Sequence, residues 1–207
     1  MIRFRLNDLE EALRNPIEYM HEQTRIDRPE IFYRKSYYTT LRNAIFKFHS
    51  SNNDISIARD YLIDELDSFK KDSLKQDTIE QFDWYIQDYR NNNFHTFSCR
   101  YNITIKPSNA TSSNLEWYGE ISRLDICPDG GFIAWLFRRK EPEGWFNELR
   151  MPLIQSELSN NLNAPFTEIS VGIYGFEERF ADYRCYSAQS IFMAQQRLRG
   201  LSLEFGL

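Results

Sequence analysis

The sequence predicts an α+β protein, with an N-terminal helical cluster followed by a mixed β-sheet flanked by helices. In the first part of the chain, apolar residues recur every three or four positions, the period of a helix with one buried face. From Phe94 onward they alternate with polar residues, as they do in strands. A Pro128-Asp129-Gly130-Gly131 turn joins two apolar runs and is typical of a tight hairpin. These observations separate a helical half, residues 1–93, from a sheet core, residues 94–207.

The composition is that of one globular domain spanning residues 1–207. Hydrophobic residues make up 42% of the chain, and glycine and proline number only 8 and 7, so a substantial core is expected without disorder. The net charge of −5 provides no overall positive field, although a local basic strip can still bind nucleic acid. No apolar run is long enough for a membrane span, and the N-terminus lacks a signal-peptide pattern. We therefore expect a cytoplasmic protein with no membrane partner.

Four helical segments are predicted in the helical half. The first carries Leu9, Ala12 and Leu13 on one face and is interrupted at Pro16, so one helix and two short helices are both compatible with it. The others each have an apolar stripe opposite a polar or charged face. The segments are expected at residues 8–23, from a cap at Ser36 or Thr39 to His49, at 54–71 and at 77–90.

The sheet core is predicted to hold strands, one intervening helix and one closing helix. In the first strand the apolar side chains, Phe97 and Cys99 among them, should share one face. Asp125 should lie at the end of the first hairpin strand, opposite the start of the second. The expected strands are Phe94–Lys106, 117–127, 132–140 and Phe166–Tyr174, with Ala181–Tyr186 as a further candidate, and the expected helices are Gly144–Asn163 and Ser187–Leu201.

Several common chemistries have no sequence motif here. Cys99, Cys127 and Cys185 lie far apart without CxxC spacing or a neighbouring histidine pair, so neither a zinc site nor a disulfide framework is indicated. Reduced, buried thiols are expected instead. The chain also lacks the P-loop, dinucleotide-binding, HExxH and GxSxG motifs, which argues against nucleotide-cofactor and serine-triad catalysis.

One polar pattern crosses the predicted elements in a recognisable order. His49 ends an early helix, a Gly-x-x-x-Arg-x-Asp sequence occupies 119–125 on the first hairpin strand, and Gln155 lies on the helix after the hairpin. In this order the residues resemble the PD-(D/E)XK nuclease superfamily, especially its RecB-like branch. The resemblance extends over about residues 41–171 and implies catalytic roles for Asp125, His49 and Gln155, with Asp125 as the metal ligand of the family.

The chain departs from that family at two motifs. Where the family has an acidic residue and a lysine, the second hairpin strand reads Ala134-Trp135-Leu136-Phe137-Arg138 and contains no carboxylate. The tyrosine expected four positions after Gln155 is replaced by Ser159. One aspartate cannot replace the two carboxylates that hold Mg²⁺ or Mn²⁺ in the family. The resemblance therefore implies a catalytically degenerate, nucleic-acid-associated or structural subunit of a larger DNA-processing, repair or defence complex, with a protein partner or as a homo-oligomer, and without a cofactor.

Two alternative functions stay open. The first is a Mg²⁺- or Mn²⁺-dependent nuclease centred on Asp125, with Arg138 or Lys140 holding the phosphate. It requires a second carboxylate from elsewhere, and Glu120 could serve only if a bulge turned it to the face of Asp125. The second alternative is a protein-interaction module without nucleic-acid binding. For the nuclease alternative, the candidates for the second metal-binding carboxylate are Glu120, Glu141, Glu143 and Glu148.

Each candidate residue also has a structural interpretation. His49 can interact with the dipole of its own helix, and Asp125 can pair with Arg123 or cap the turn. Gln155 lies on an apolar helical face and needs polar partners whether it specifies the fold or acts in a site. The basic residues that end the second hairpin strand can be solubilising edge charges. As nucleic-acid-binding candidates we retain Arg123, Arg138, Arg139 and Lys140.

Overall fold

A computed structural model describes residues 2–24, 35–107, 115–140 and 143–205. Within these residues the chain is α+β, with a mixed six-stranded sheet flanked by helices, and the predicted fold class is confirmed. The strands are β1 (Ile2–Arg5), β2 (His95–Ile105), β3 (Leu115–Ile126), β4 (Phe132–Arg138), β5 (Ile169–Gly175) and β6 (Phe180–Arg184). The α-helices are α1 (Leu9–Arg14), α2 (Pro16–Thr24), α3 (Tyr37–Ser50), α4 (Ile55–Asp67), α5 (Asp72–Asn91), α6 (Arg150–Leu162) and α7 (Ala188–Glu204).

The sheet has the order β1-β3-β4-β5-β6, and β2 also pairs with β3. β2 runs antiparallel to β3 along most of its length, from His95 opposite Ile126 to Ile105 opposite Trp117. Two pairs of strands are parallel: β1 pairs with β3, and β5 pairs with β4. The predicted hairpin of β3 and β4 is confirmed, and Asp125 lies opposite Ile133 near the turn, as expected.

The two faces of the sheet carry separate apolar cores. One core joins β1, β3 and β5 to α1, α6 and α7, with Trp117 and Trp145 among its fully buried side chains. The other joins β4 and β5 to α3, α4 and α5, with Phe82 and Phe176 among its fully buried side chains. Successive β4 residues alternate between the two cores, so this strand is buried on both faces, as is typical of a central strand covered by helices.

Local capping explains where several helices begin. Ser36 Oγ accepts a hydrogen bond from the Thr39 amide at 3.1 Å, and Thr39 Oγ1 accepts one from the Ser36 amide at 2.9 Å. This reciprocal capping box starts α3, and of the two caps expected, Ser36 and Thr39, the structure has Ser36 as the N-cap. Asp54 caps α4 and Ser187 caps α7 in the same way through a single bond each.

The expectation that residues 1–93 are wholly helical is wrong at β1. Ile2, Phe4 and Leu6 alternate with two arginines, a period-two signal that was available in the sequence. Phe4 is buried against the Trp117 ring at a centroid distance of 5.1 Å. Gly119 permits Leu6, the next residue after β1, to lie close to β3, because a Cβ at Gly119 would lie 3.0 Å from Leu6 Cβ.

Several predicted boundaries differ from the structure for local reasons. The interruption at Pro16 divides the first segment into α1 and α2, one of the two arrangements expected. Phe97 does not share the face of its alternating neighbours, because the β2–β3 register shifts between Thr96 and Ser98 and leaves Phe97 52% exposed. The helix and strand predicted from Gly144 and Phe166 each begin instead with a 3₁₀ turn, and the regular elements start at Arg150 and Ile169.

Beside the middle of β3, one edge of the strand has no neighbouring strand paired to it among the described residues, and a groove lies at this gap in the sheet. On the edge of β3 away from β2, β1 pairs with Leu115 to Tyr118, whereas β4 pairs with Arg123 to Ile126. Between these ladders, the Phe137 amide donates to Ser122 Oγ at 3.1 Å in place of a main-chain bond. The separation of β4 from β3 leaves space that polar side chains can line.

Candidate functional site

Asp125 forms a buried ion pair with Arg123, and both side chains are completely excluded from solvent. Arg123 Nη2 and Nε lie 2.6 and 2.8 Å from Asp125 Oδ2. Trp135 Nε1 donates to the same oxygen at 2.9 Å, and Thr96 Oγ1 donates to Oδ1 at 3.1 Å. Residues two apart on a strand share a face, which brings the two charges together. Buried charges persist only when paired and hydrogen-bonded in this manner.

Four aromatic rings surround the Arg123 guanidinium, and we refer to this arrangement as the Arg123 cage. The carbon at the centre of the guanidinium lies 5.0–5.7 Å from each ring centroid, within the range of cation–π attraction. Arg123 Nη1 donates to one phenol oxygen of the cage, and Nη2 donates to another at 3.2 Å. The rings are those of Tyr85, Tyr89, Trp135 and Tyr174, and Tyr85 and Tyr174 supply the two phenol oxygens.

His49 belongs to the same network. Its Nε2 lies 2.6 Å from the Tyr85 hydroxyl, and its Nδ1 lies 3.1 Å from Asn53 Oδ1 and 3.2 Å from Thr96 Oγ1. Burial, and then the positive charge of Arg123, lower the His49 pKa to about 3, so the imidazole is neutral near pH 7. Burial raises the pKa of Tyr85 well above its usual value, so this phenol keeps its proton and can donate it to Nε2.

The residues at Asp125 do not fit the metal centre that the family resemblance implies. Both carboxylate oxygens are already bonded to Arg123, Trp135 and Thr96. Among the residues described, no group of three or more His, Cys, Asp or Glu side chains could hold a metal ion. Of the candidate second carboxylates, Glu120 faces α3, as the Asp125 network does, but it binds other arginines. Glu143 is exposed. Glu141 lies outside the described residues.

Gln155 is buried but forms no hydrogen bond with the Asp125 network. Its Nε2 donates to the carbonyls of Phe166 and Tyr186 at 2.8 and 3.0 Å, and its Oε1 accepts from the Tyr186 amide at 2.7 Å. The side chain thereby joins α6 to the segments that precede β5 and α7. Of the three predicted catalytic residues, the structure brings together Asp125 and His49 and assigns Gln155 fold-specifying contacts.

An open groove of about 520 Å³ occupies the gap in the sheet beside the middle of β3, and we call it the arginine groove. β2, β3, β4 and α3 all contribute to it, together with the segment around β1. Glu120 is the one carboxylate among its described lining residues. Its described lining therefore carries a formal excess of positive charge, although the whole chain is acidic. Its four arginines are Arg5, Arg42, Arg100 and Arg138.

Two of these arginines bind Glu120 in the groove. Arg42 Nη2 lies 3.0 Å from Glu120 Oε1, and Arg100 Nε lies 3.0 Å from Oε2. The Phe46 ring lies beneath both guanidinium groups, at 5.5 and 5.6 Å. Arg100 has a φ of 57°, in the left-handed region that non-glycine residues rarely adopt. The ladder pairing between β2 and β3 is interrupted at this residue.

Arg138 has no carboxylate within ion-pair distance among the residues described. Its Nη2 donates to Asn7 Oδ1 at 3.2 Å, and its Nε is buried without a hydrogen-bond partner in that part of the chain. Asn7 Oδ1 also accepts from Arg150 Nη1 at 2.8 Å. Burial, and then the charge of Arg150, lower the Arg138 pKa to about 10. Arg138 thus remains a cation near pH 7, in a position where an anion would stabilise it.

The other predicted nucleic-acid-binding residues lie elsewhere. Arg139 Nε and Lys140 Nζ lie 2.5 and 3.4 Å from the carboxylate of Glu177 at the surface. Arg123 is enclosed in its cage and has no exposed surface, so its expected role in direct nucleic-acid contact is wrong. Of the four candidates, only Arg138 lines the arginine groove.

Sequence reasoning missed Arg5, Arg42, Arg100 and Asn7. They come from β1, α3, β2 and the 3₁₀ turn Leu6–Asp8 between β1 and α1, and no spacing rule connects them. Arg5 had one available signal, because its alternation with Ile2 and Phe4 indicates a strand. The other three can be recognised as groove residues only from the folded structure, in which a gap between β3 and β4 brings them together.

No protein-family model matches the chain, and a comparison with curated proteins finds no match. The resemblance to PD-(D/E)XK nucleases therefore stays a prediction from short motifs. Within the described ranges, no helix combines the length and apolar character that crossing a membrane requires.

Proposed function

We propose that the protein is a non-catalytic, nucleic-acid-associated subunit that binds phosphate groups in the arginine groove. The observation that carries the proposal is that four arginines and one carboxylate line a single groove in a chain of net charge −5. Guanidinium groups recognise phosphate oxygens through paired N–H donors. Release of counterions from a phosphate backbone adds affinity that depends on salt.

The Arg123 cage supports the non-catalytic part of the proposal. In the family that the resemblance implies, carboxylates hold the Mg²⁺ or Mn²⁺ ion that activates water, whereas both oxygens of Asp125 are bonded within the protein. His49 is bonded on both ring nitrogens, which leaves it poorly placed to exchange a proton with a substrate. The family resemblance motivates the remaining step, a place in a DNA-processing, repair or defence complex, and this step is an analogy.

Binding of labelled single- and double-stranded DNA and of RNA, followed by fluorescence anisotropy, tests the proposal. We expect affinity that falls steeply as salt rises. Arg138→Gln should weaken binding about tenfold, the loss typical of one good charged contact. Arg139→Gln is the matched control, since it removes the same charge from the next residue, and it should change affinity far less.

Two results would count against the proposal. Equal losses for Arg138→Gln and Arg139→Gln would move any binding site out of the groove. Cleavage of nucleic acid by the purified protein with Mg²⁺ or Mn²⁺ would overturn the non-catalytic assignment and favour the nuclease alternative.

A further inference from the structure

Glu120 occupies the arginine groove as an anion that belongs to the protein itself. Its two carboxylate oxygens each bind one arginine at 3.0 Å, Arg42 on one side and Arg100 on the other. A phosphate presents the same kind of paired oxygens to a guanidinium group. Any phosphate that reaches these two arginines must therefore compete with Glu120.

The two guanidinium groups also have contacts that do not depend on Glu120. Phe46 lies within cation–π distance of both, and its ring stacks on Phe137 at 6.0 Å with an interplanar angle of 14°. Arg42 has a further cation–π contact with Tyr38 at 5.8 Å. Aromatic contacts of this kind restrict the orientation of a guanidinium. The arginines should remain in position when another anion takes the place of the carboxylate.

We infer that Glu120 is a specificity-determining residue, an internal competitor that excludes isolated phosphate and admits a strand of consecutive phosphates. This inference rests on the proposed function. A single phosphate has only its own affinity with which to displace a tethered carboxylate. A strand can bind Arg138 with one phosphate, which raises the effective concentration of the next phosphate near Arg42 and Arg100.

Glu116 provides a matched control on the same strand. It too binds two cations, with Arg3 at 3.4 Å and Lys106 at 2.9 Å, but it does not line the arginine groove. Replacing either glutamate by glutamine changes the net charge equally. A difference between Glu120→Gln and Glu116→Gln therefore reports the groove rather than the overall field.

Calorimetric titration with inorganic phosphate, and anisotropy with a short labelled DNA strand, test the inference on the full chain. Glu120→Gln should bind phosphate about tenfold more tightly than the parent, because two partly exposed ion pairs no longer compete. Its gain for the strand should be smaller, so the preference for the strand should shrink. Glu116→Gln should match the parent for phosphate. Glu120→Ala should repeat the gain, and melting temperatures establish that each variant is folded.

The outcomes separate this inference from the proposed function. If the parent binds the strand but Glu120→Gln gains no more for phosphate than Glu116→Gln, the internal competitor is overturned and the proposed function stands. If the parent binds no strand but Glu120→Gln gains phosphate affinity, Glu120 still competes with phosphate, but its role in admitting a strand and the proposed function are both overturned. If no variant binds either ligand, both are overturned.

Discussion

The Arg123 cage and the arginine groove place arginines beside neighbouring parts of β3, yet the two regions use the charge differently. Arg123 is fully enclosed, with a carboxylate, two phenol oxygens and four rings as partners. Arg138 contacts a neutral amide and lines an open groove. Arg123 and Arg138 therefore differ in their partners rather than in residue type: the charge of Arg123 is paired inside the protein, whereas the side-chain partner of Arg138 among the described residues is the neutral Asn7.

Removing the carboxylate from the cage should produce the largest effect. Asp125→Asn leaves Arg123 as a buried cation without a counterion, and we expect a loss of roughly 3–5 kcal/mol in the free energy of unfolding. Glu177→Gln is the exposed counterpart, since it removes the partner of Arg139, and it should cost less than about 1 kcal/mol. Urea denaturation measures both, and equal losses would refute the distinction between the regions.

Acid should weaken the cage through His49. Its pKa is about 3 in the folded protein, below the ordinary value of 6.5, so the unfolded chain binds the proton first as pH falls. The free energy of unfolding should decrease between pH 6.5 and pH 3, by at most about 1.4 kcal/mol per pH unit from this group. His49→Gln retains an acceptor for Tyr85 and should flatten this slope. Denaturation midpoints measured across that pH range give the slope. If the midpoints of parent and variant change with pH to the same extent, His49 is not the group responsible.

Among these predictions, a substitution in the arginine groove should have the smallest effect on stability and a clear effect on nucleic-acid binding. Arg138→Gln removes a partly desolvated cation whose polar partner among the described residues is Asn7, so we expect a stability change within about 0.5 kcal/mol. The same variant should lose about tenfold in nucleic-acid affinity. Paired thermal melting and anisotropy measurements check this, and a large drop in melting temperature would place Arg138 with the structural arginines.

The parts predicted correctly from the sequence depend on neighbours along the chain. The Pro128–Gly131 turn fixes the hairpin through local backbone preferences, and the capping box at Ser36 is equally local. The pairing of Asp125 with Arg123, one of the interpretations considered, follows from their spacing on a strand.

The parts missed depend on irregular backbone and distant segments. The bulge in β2 turns Phe97 outward, against its alternation with its neighbours. Arg100 reaches Glu120 from a backbone conformation that its residue type does not predict. The groove also needs Arg42 from α3 and Arg5 from β1, which only the completed sheet brings together.

The pairing of β1 with β3 has a consequence for synthesis of the chain. During translation β1 leaves the ribosome before any of α1 to α5, whereas its partner at Leu115–Tyr118 follows all of them. The helices on the α3–α5 face can collapse locally while β1 waits for a partner far along the chain, and such non-local pairings form slowly. The apolar alternation of Ile2, Phe4 and Leu6 is meanwhile an exposed strand edge, which is a site where nascent chains associate wrongly. Synthesis of Leu115–Tyr118, at the start of β3, therefore supplies the partner that ends this exposure.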